Sequence, residues 1–388
     1  MISYHKQVAP FLFGAGAVGQ LYEKLKELGA TKALICTDKG VMAAGVVDQA
    51  IASLKENDFP YVIFDACLPD APDTSFYGAA DLARREGADA IVAVGGGSDM
   101  DTAKVASLLI KERVELDVLL PPGPPGPPTK PDVSLVMIPT TCGTGSEETA
   151  VGVVSKSATG AKFGKFITGM DLSIVDPELT LGLPPGLTAS TGMDVVAHVC
   201  EAYTTLERKN PVSDQRALCV INLVKKWLPI AVKDGGNLEA RTNMSLACVI
   251  TGMCFNDSMT NYAHGIAHAF GTKSHLAHSL GCALAEPPAL EALAMGIPDL
   301  IRDLGKQFDA EIPESASPEE IGKITGDRLR AFMKEIGIPS LKALGFSRES
   351  VMAHLDGVLV EPQVWLAPIE VTAEIAEKTL ASMYDDYQ

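Results

Sequence analysis

Basic residues are what this chain is shortest of. Its 32 Lys and Arg are outnumbered by 49 Asp and Glu, a formal charge of −17. A surface of that sign repels phosphate backbones and anionic bilayers, so neither a nucleic-acid nor a membrane partner is expected. Long apolar runs are missing as well. No stretch reads as a membrane span, and the opening MISYHKQVAPFLFG has no basic region ahead of a long apolar run. None of the eight cysteines forms a CxxC pair, and most sit in apolar settings such as LIC and ALCVI. That usage argues against a disulfide framework and for buried free thiols in a reducing compartment, so a cytoplasmic location is expected. The GxSxG elbow, the Walker lysine motif and HExxH are all absent, which removes the hydrolase, P-loop and zinc-protease chemistries they carry. There is no internal repeat.

What remains is a chain able to bury a large core. With 388 residues, 47% hydrophobic and 21% charged, two globular domains are expected. The first half alternates apolar strands with amphipathic helices. AVGQLYEKLKELG reads as a helix, TKALICTD as a strand, DQAIASLKEND as a helix and YVIFDA as a strand. TSFYGAADLARREG is helical, DAIVAVGGGS is a strand running into glycines, DMDTAKVASLLI is helical and VSLVMIPTT is a strand. Such alternation is the signature of a parallel, doubly wound sheet. The segment PPGPPGPPTKP is too short to be collagen and reads as a stiff, polyproline-like loop. PELTLGLPPGLTAS marks a boundary, and beyond it helical periodicity dominates, as in DVVAHVCEAY, DQRALCVINLVKKWL, EARTNMSLACVITGMCF, GKITGDRLRAFMKEIG and TAEIAEKTLASMYDDY. The expected architecture is an α/β dinucleotide-binding domain over 1–183 and an all-α metal-binding domain over 184–388.

The chemistry concentrates in NYAHGIAHAFGTKSHLAH, Asn261–His278, which holds four of the seven histidines, at 264, 268, 275 and 278. Upstream, His198 follows Asp194 by four residues. On a helix that spacing shares a face, so Asp194 with His198, and His264 with His268, can each grip one ion. Carboxylate and imidazole suit a divalent transition metal of borderline softness, iron or zinc above all. Glu201 can hydrogen-bond such a ligand from behind, or can lie solvated on the helix face.

Three loops compete for a dinucleotide. Gly14-Ala-Gly16-Ala-Val-Gly19 matches GxGxxG, with Asp38 at a strand end some twenty residues on. Gly95-Gly96-Gly97-Ser98 is the stronger site, because it ends an apolar strand and opens a helix whose amides can meet a pyrophosphate. Pro139-Thr140-Thr141-Cys142-Gly143-Thr144-Gly145-Ser146-Glu147 also follows a strand. Asp38 would accept from a ribose 2′-hydroxyl and repel a 2′-phosphate, which favours NAD over NADP.

With GGGS followed by Asp101 and Lys104, then PTTxGTGSE, TGMDxxxH and HxxxHxxxG in that order over residues 95–278, the chain resembles the iron-containing (group III) alcohol dehydrogenases. The resemblance implies an N-terminal dinucleotide-binding domain and a helical metal domain, an architecture related to that of dehydroquinate synthase. It implies hydride transfer between NAD(H) and a small alcohol or aldehyde: a primary alcohol, a diol or a hydroxyacid semialdehyde. By position it assigns Asp194, His198, His264 and His278 to Fe2+ (or Zn2+ or another divalent ion) and His268 to a proton relay beside the nicotinamide. It also assigns Gly96, Gly97, Ser98, Asp101, Thr140, Thr141 and Lys162 to the cofactor, with Asp38 at the adenosine ribose. His275 falls outside the pattern and is expected to face solvent or a neighbour.

Two positions depart from the family. Asp70, in LPDAP, stands where many members have asparagine near the cofactor. Cys282, four residues after His278, stands where members commonly have asparagine, and is expected at an edge of the substrate pocket. The alternatives carried forward are a hydroxyacid–oxoacid transhydrogenase and a dehydroquinate synthase-like lyase. A homo-oligomer is expected.

Overall fold

A computed structural model describes residues 7–121 and 126–388, so part of the proline-rich loop expectation falls outside the described residues. The described chain divides into two compact units, one ending at Leu183 and the other spanning Pro184–Gln388.

In the first unit, strands β1 (Phe11–Phe13), β2 (Ala33–Cys36), β3 (Tyr61–Phe64), β4 (Ala90–Gly95), β5 (Ser134–Pro139) and β8 (Leu172–Val175) form one sheet in the order β1-β8-β5-β4-β2-β3. Every pairing in it is parallel. The connections carry α1 (Leu21–Glu27), α2 (Lys39–Ala43), α3 (Val46–Glu56), α4 (Asp73–Glu86), α5 (Gly97–Ala106) and α6 (Leu116–Leu119). Alternate residues of β4 enter opposite cores. Ile91 and Ala93 pack with Phe76, Ala80, Ala83 and Ala103 of α4 and α5, whereas Ala90, Val92 and Val94 pack with Leu21, Leu25, Ile51 and Leu54 of α1 and α3. A strand covered on both faces has no use for polar alternation, which is why AIVAV is apolar throughout.

The chain runs outward from β2 to β3, then crosses back to lay β4 on the other side of β2. The sheet therefore reverses direction between β2 and β4, and the crevice at such a reversal, beyond the strands' carboxyl ends, is where α/β sheets bind ligands. Asp38 follows β2, and Gly95–Ser98 follows β4. The earlier glycine motif lies elsewhere: Gly14–Gly19 follows the edge strand β1 and makes a 3-10 turn, Ala17–Gln20, whose Val18 amide donates to Asp176 Oδ2 at 3.0 Å. Asp38 thus keeps company with the second glycine cluster.

An antiparallel hairpin, β6 (Val151–Ser155) with β7 (Lys162–Phe166), was not foreseen. It packs against α5, where a Cβ on Gly152 would lie 3.3 Å from the Val105 side chain.

The strands described all lie in the first unit. The second is built from α7 (Pro185–Thr204), α8 (Pro211–Lys233), α9 (Leu238–Ser258), α10 (Tyr262–Ser274), α11 (His278–Leu293), α12 (Pro298–Gln307), α13 (Pro318–Glu335), α14 (Arg348–Met352), α15 (Leu355–Val360) and α16 (Ala373–Asp385). α7 begins at Pro185, inside the stretch read as a boundary, because proline is tolerated in a helix's first turn. From Gly192 to Thr204 it is buried, and it forms the unit's central helix. Asn261 ties α10 to it: Oδ1 accepts from the Tyr262 amide, while Nδ2 donates to the Glu201 carbonyl at 3.1 Å and to Thr205 Oγ1 at 2.9 Å. Gly281 lets α11 close on α10, since a Cβ there would sit 3.1 Å from Ala267 Cα. Among the described residues no helix is long and apolar enough to cross a membrane.

Candidate active site

Asp194 and His198 lie one turn apart on α7, as their spacing requires. The His198 ring nitrogen Nδ1 is 2.8 Å from the Asp194 carbonyl. A carbonyl only accepts, so Nδ1 carries the proton and Nε2 turns a lone pair toward the cluster. Burial pushes the His198 pKa down to about 4, against the pull of the Asp194 charge, which keeps the ring neutral. Phe255 stacks on its face with ring centroids 4.4 Å apart.

His264 on α10 is fixed the same way by a different group. Its Nδ1 pairs with Glu201 Oε2 and its amide donates to Glu201 Oε1 at 3.0 Å. Burial alone would raise the Glu201 carboxyl, but the adjoining His264 outweighs this and holds it below the ordinary range. Glu201 is 1% exposed, so of its two expected roles the solvated one is wrong, and the carboxylate sets the tautomer of His264.

Two lone pairs consequently face one another, with His198 Nε2 and His264 Nε2 3.1 Å apart. Asp194 Oδ1 lies 3.8 Å from His264 Nε2 and 3.9 Å from His278 Nε2. That oxygen is buried and has no hydrogen-bond partner among the described residues. An orphaned carboxylate oxygen among imidazole nitrogens costs free energy unless a cation joins them. Two nitrogens about 2.1 Å from a common ion would stand about 3.0–3.4 Å apart, so the observed pair suits one. Donor atoms of Asp194, His264, His278 and Cys282 all lie within 4.8 Å of one another.

His268 is buried beside this group, its ring centroid 6.4 Å from His264 and 5.4 Å from His278, and its Nδ1 faces Glu361 Oε2 at 3.7 Å. Spacing along the chain did not distinguish His264 from His268; in the structure His264 meets Glu201 and His198, whereas His268 faces Glu361. His275 ends α10 with φ 53° and is exposed. Cys282 is not at an open pocket edge. It is fully buried, and its Sγ is 3.6 Å from His278 Nε2. Glu361 and Glu286 were missed. Glu286, one turn past Cys282, is fully buried, and burial together with the Glu201 charge raises its carboxyl above the ordinary range.

In the first unit the predicted cofactor residues gather at the reversal point. Gly95 pairs with Pro139, and the Thr140 amide donates to the Gly95 carbonyl at 2.9 Å, so the two loops run side by side. A Cβ at Gly97 would lie 2.7 Å from the Thr144 methyl, and one at Gly96 3.5 Å from Thr141 Oγ1. The Asp70 amide donates to Ser98 Oγ at 3.1 Å, and its carboxylate pairs with Lys162 at 2.8 Å. Asp70 has φ 63°, a left-handed conformation that Asn and Asp adopt most readily among residues with side chains.

Asp101 is committed to the protein. It accepts from Ser146 Oγ at 2.7 Å and the Val153 amide at 3.1 Å. Lys104, fully buried, donates to Ser146 Oγ at 2.6 Å, Thr149 Oγ1 at 3.0 Å and the Val151 carbonyl at 2.9 Å. Together they clamp the GTGSE loop and the hairpin to α5. Asp99, also missed, accepts from the Gly96 amide at 2.9 Å, and burial with the Asp38 charge raises its carboxyl to about 8. Its position three residues after the helix's first cap was the available signal.

Comparison with known proteins agrees across both units. A family model for iron-containing alcohol dehydrogenase matches residues 9–177, and one for the Fe-containing alcohol dehydrogenase C-terminal region matches 188–384. The chain is 32% identical over 360 residues to choline dehydrogenase of Bacillus subtilis (strain 168), covering 92% of this chain and 88% of that one. It is 29% identical over 421 residues to the mitochondrial hydroxyacid-oxoacid transhydrogenase of Homo sapiens, covering 99% and 89%. The solved structure of a 1,3-propanediol oxidoreductase superposes with a TM-score of 0.91 at 29% identity, covering 99% and 100%.

Proposed function

Because the chain belongs to the iron-containing alcohol dehydrogenase family, we propose that Asp194, His198, His264 and His278 hold one divalent ion, and that the loops after β4 and β5 hold NAD. The protein is an NAD-dependent alcohol dehydrogenase. The observation that carries the metal assignment is Asp194 Oδ1, a buried, unpartnered carboxylate oxygen facing imidazole nitrogens from two other helices.

When bound, the ion supplies Lewis acidity toward a substrate oxygen and the nicotinamide supplies or accepts hydride. The chain's residues do the rest. Glu201 and the Asp194 carbonyl hold His264 and His198 in the tautomers a cation needs. Asp194 is the one anion of this ligand set, so the loaded site is net positive and attracts an alkoxide. His268, whose Nδ1 faces Glu361 Oε2 at 3.7 Å, relays the proton. Amides of Gly97 and Ser98 at the start of α5 receive pyrophosphate, while Gly96, its own amide held by Asp99, lets the backbone come close; Thr140 and Thr141 stand opposite and Asp70 and Lys162 alongside. Asp38 accepts from the ribose and selects NAD. Asp101 serves the cofactor indirectly, by fixing the loop with Lys104.

The substrate class is a small primary alcohol, diol or hydroxyacid, supported by the similarity to the choline and propanediol enzymes. The ion is divalent, iron by the family's name, with zinc within reach of the same donors. We place the enzyme in the cytoplasm as a homo-oligomer, with exposed Trp365 and Val360 as apolar surface for self-association.

The test is NADH formation by metal-reconstituted protein against small alcohols, diols and hydroxyacids, with and without chelator. Chelator-sensitive NADH formation is expected. Silence in both directions, with NAD and metal bound, would overturn the dehydrogenase reading in favour of a transhydrogenase. That second reading draws on the similarity to the human enzyme, and predicts turnover in which the cofactor never leaves the protein.

A further inference from the structure

Cys282 lies one turn beyond His278 on α11, and its side chain is fully buried. It packs with Ala197 of α7 and Ala267 of α10, two residues too small to hold it away from the donor cluster. Its sulfur is 3.6 Å from His278 Nε2. It is also within 4.8 Å of the donor atoms of Asp194 and His264. Sulfur and nitrogen bound to one zinc ion, at about 2.3 and 2.1 Å with an angle of about 90–120° between them, stand about 3.1–3.8 Å apart. The orphaned Asp194 Oδ1 points independently to a cation in the same space.

We propose that Cys282 is itself a ligand of the bound ion, as a thiolate, and that it shifts the site's preference from iron to zinc. The inference rests on the metal reading above and deepens it. A thiolate is a soft donor, and its addition to imidazole and carboxylate favours zinc or cobalt over the harder ferrous ion. It also adds a second negative charge beside Asp194, so the loaded site would be less positive than the aspartate–histidine set alone makes it, and its pull on an alkoxide weaker. The rival is a thiol that only hydrogen-bonds His278, which a similar sulfur–nitrogen distance would also allow.

Cobalt(II) separates the two, because a cobalt–thiolate bond produces a near-ultraviolet charge-transfer band that nitrogen and oxygen ligands lack. The experiment loads the metal-stripped full chain with cobalt, alone and in anaerobic competition between zinc and iron. It compares wild type, Cys282→Ser and, as a control, Cys219→Ser, whose thiol is exposed. The charge-transfer band is expected in wild type and the control and absent from Cys282→Ser, with visible d–d bands in all three. The zinc-over-iron preference should fall about tenfold in Cys282→Ser. Wild-type protein showing d–d bands without charge transfer overturns the proposal even if the variant does not fold, and leaves the dehydrogenase reading standing. A band that survives in Cys282→Ser overturns it too. Failure of wild type to take up cobalt at all sinks the metal reading and this inference together.

Discussion

His268 and His264 differ by one turn of α10 and by everything around them. Glu201 grips His264 at Nδ1, and Glu361 faces His268 at 3.7 Å. Removing His268 should therefore cost proton transfer and spare the ion. We expect His268→Ala to lower kcat by about a hundredfold or more while metal content, measured by atomic absorption, stays near wild type. Loss of metal in that variant would make His268 a ligand and end its assignment as a relay. Asp99 allows a second, pH-dependent test. Its carboxyl is raised from the usual 3.8 to about 8, so the folded protein keeps a proton that the unfolded chain has released. The stability this contributes is fully present below the unfolded value and is lost as pH rises through the folded one. Asp99→Asn keeps an acceptor for the Gly96 amide and cannot ionise. Its melting temperature should fall less than wild type's between about pH 4 and pH 8, the two converging toward acid. Parallel curves would show that Asp99 is ionised in the fold. These residues also mark what could be read beforehand. Asp194 with His198 was legible because four residues make one turn. The orientation of Cys282 was not, because it depends on α7 and α10 being small at Ala197 and Ala267.

Three helices meet at the donor cluster, and they can do so because some residues are small. A Cβ on Gly281 would meet Ala267 Cβ at 3.0 Å and Cα at 3.1 Å, so any side chain there pushes α11 from α10. His278 rides on α11 and His264 on α10. Gly281→Leu should thus weaken metal affinity by about ten- to a hundredfold, with helix content by circular dichroism largely retained. Unchanged affinity would mean that α11 does not set the position of His278. Sequence periodicity could not foresee this crossing, since one glycine in a helix says nothing of its neighbour. It also argued poorly for α11 itself, whose interior holds Pro287 and Pro288. The hairpin β6–β7 was missed because strands of five residues around SKSATGAK show no sustained alternation, yet it carries Lys162 to Asp70. The parallel strands were legible for the opposite reason: burial on both faces demands unbroken apolar runs such as AIVAV and SLVMI.

At the scale of the whole molecule, each of the two units is compact by itself, and the proposed metal ligands all belong to the second. In the second unit, donor atoms from α7, α10 and α11 converge, so an ion should tie those three helices together. Binding stabilises only what holds the ligand, by about 4 kcal/mol when the ion is a thousandfold above its Kd. Hydrogen exchange can localise that effect, because it reports opening segment by segment. Chelation should accelerate amide exchange in α7, α10 and α11 and leave β4 and β5 unchanged, whereas NAD should slow exchange at Gly96–Ser98 and Thr140–Thr141. The acidic surface does not compete for this effect, since Asp194 is the buried carboxylate left without a hydrogen bond at the histidines. The assignment fails if chelator leaves the three helices as protected as before, for then no ion joins them. If the loosening appears equally in β4 and β5, metal binding is coupled to the fold of the first unit as well, and the two sites are not independent.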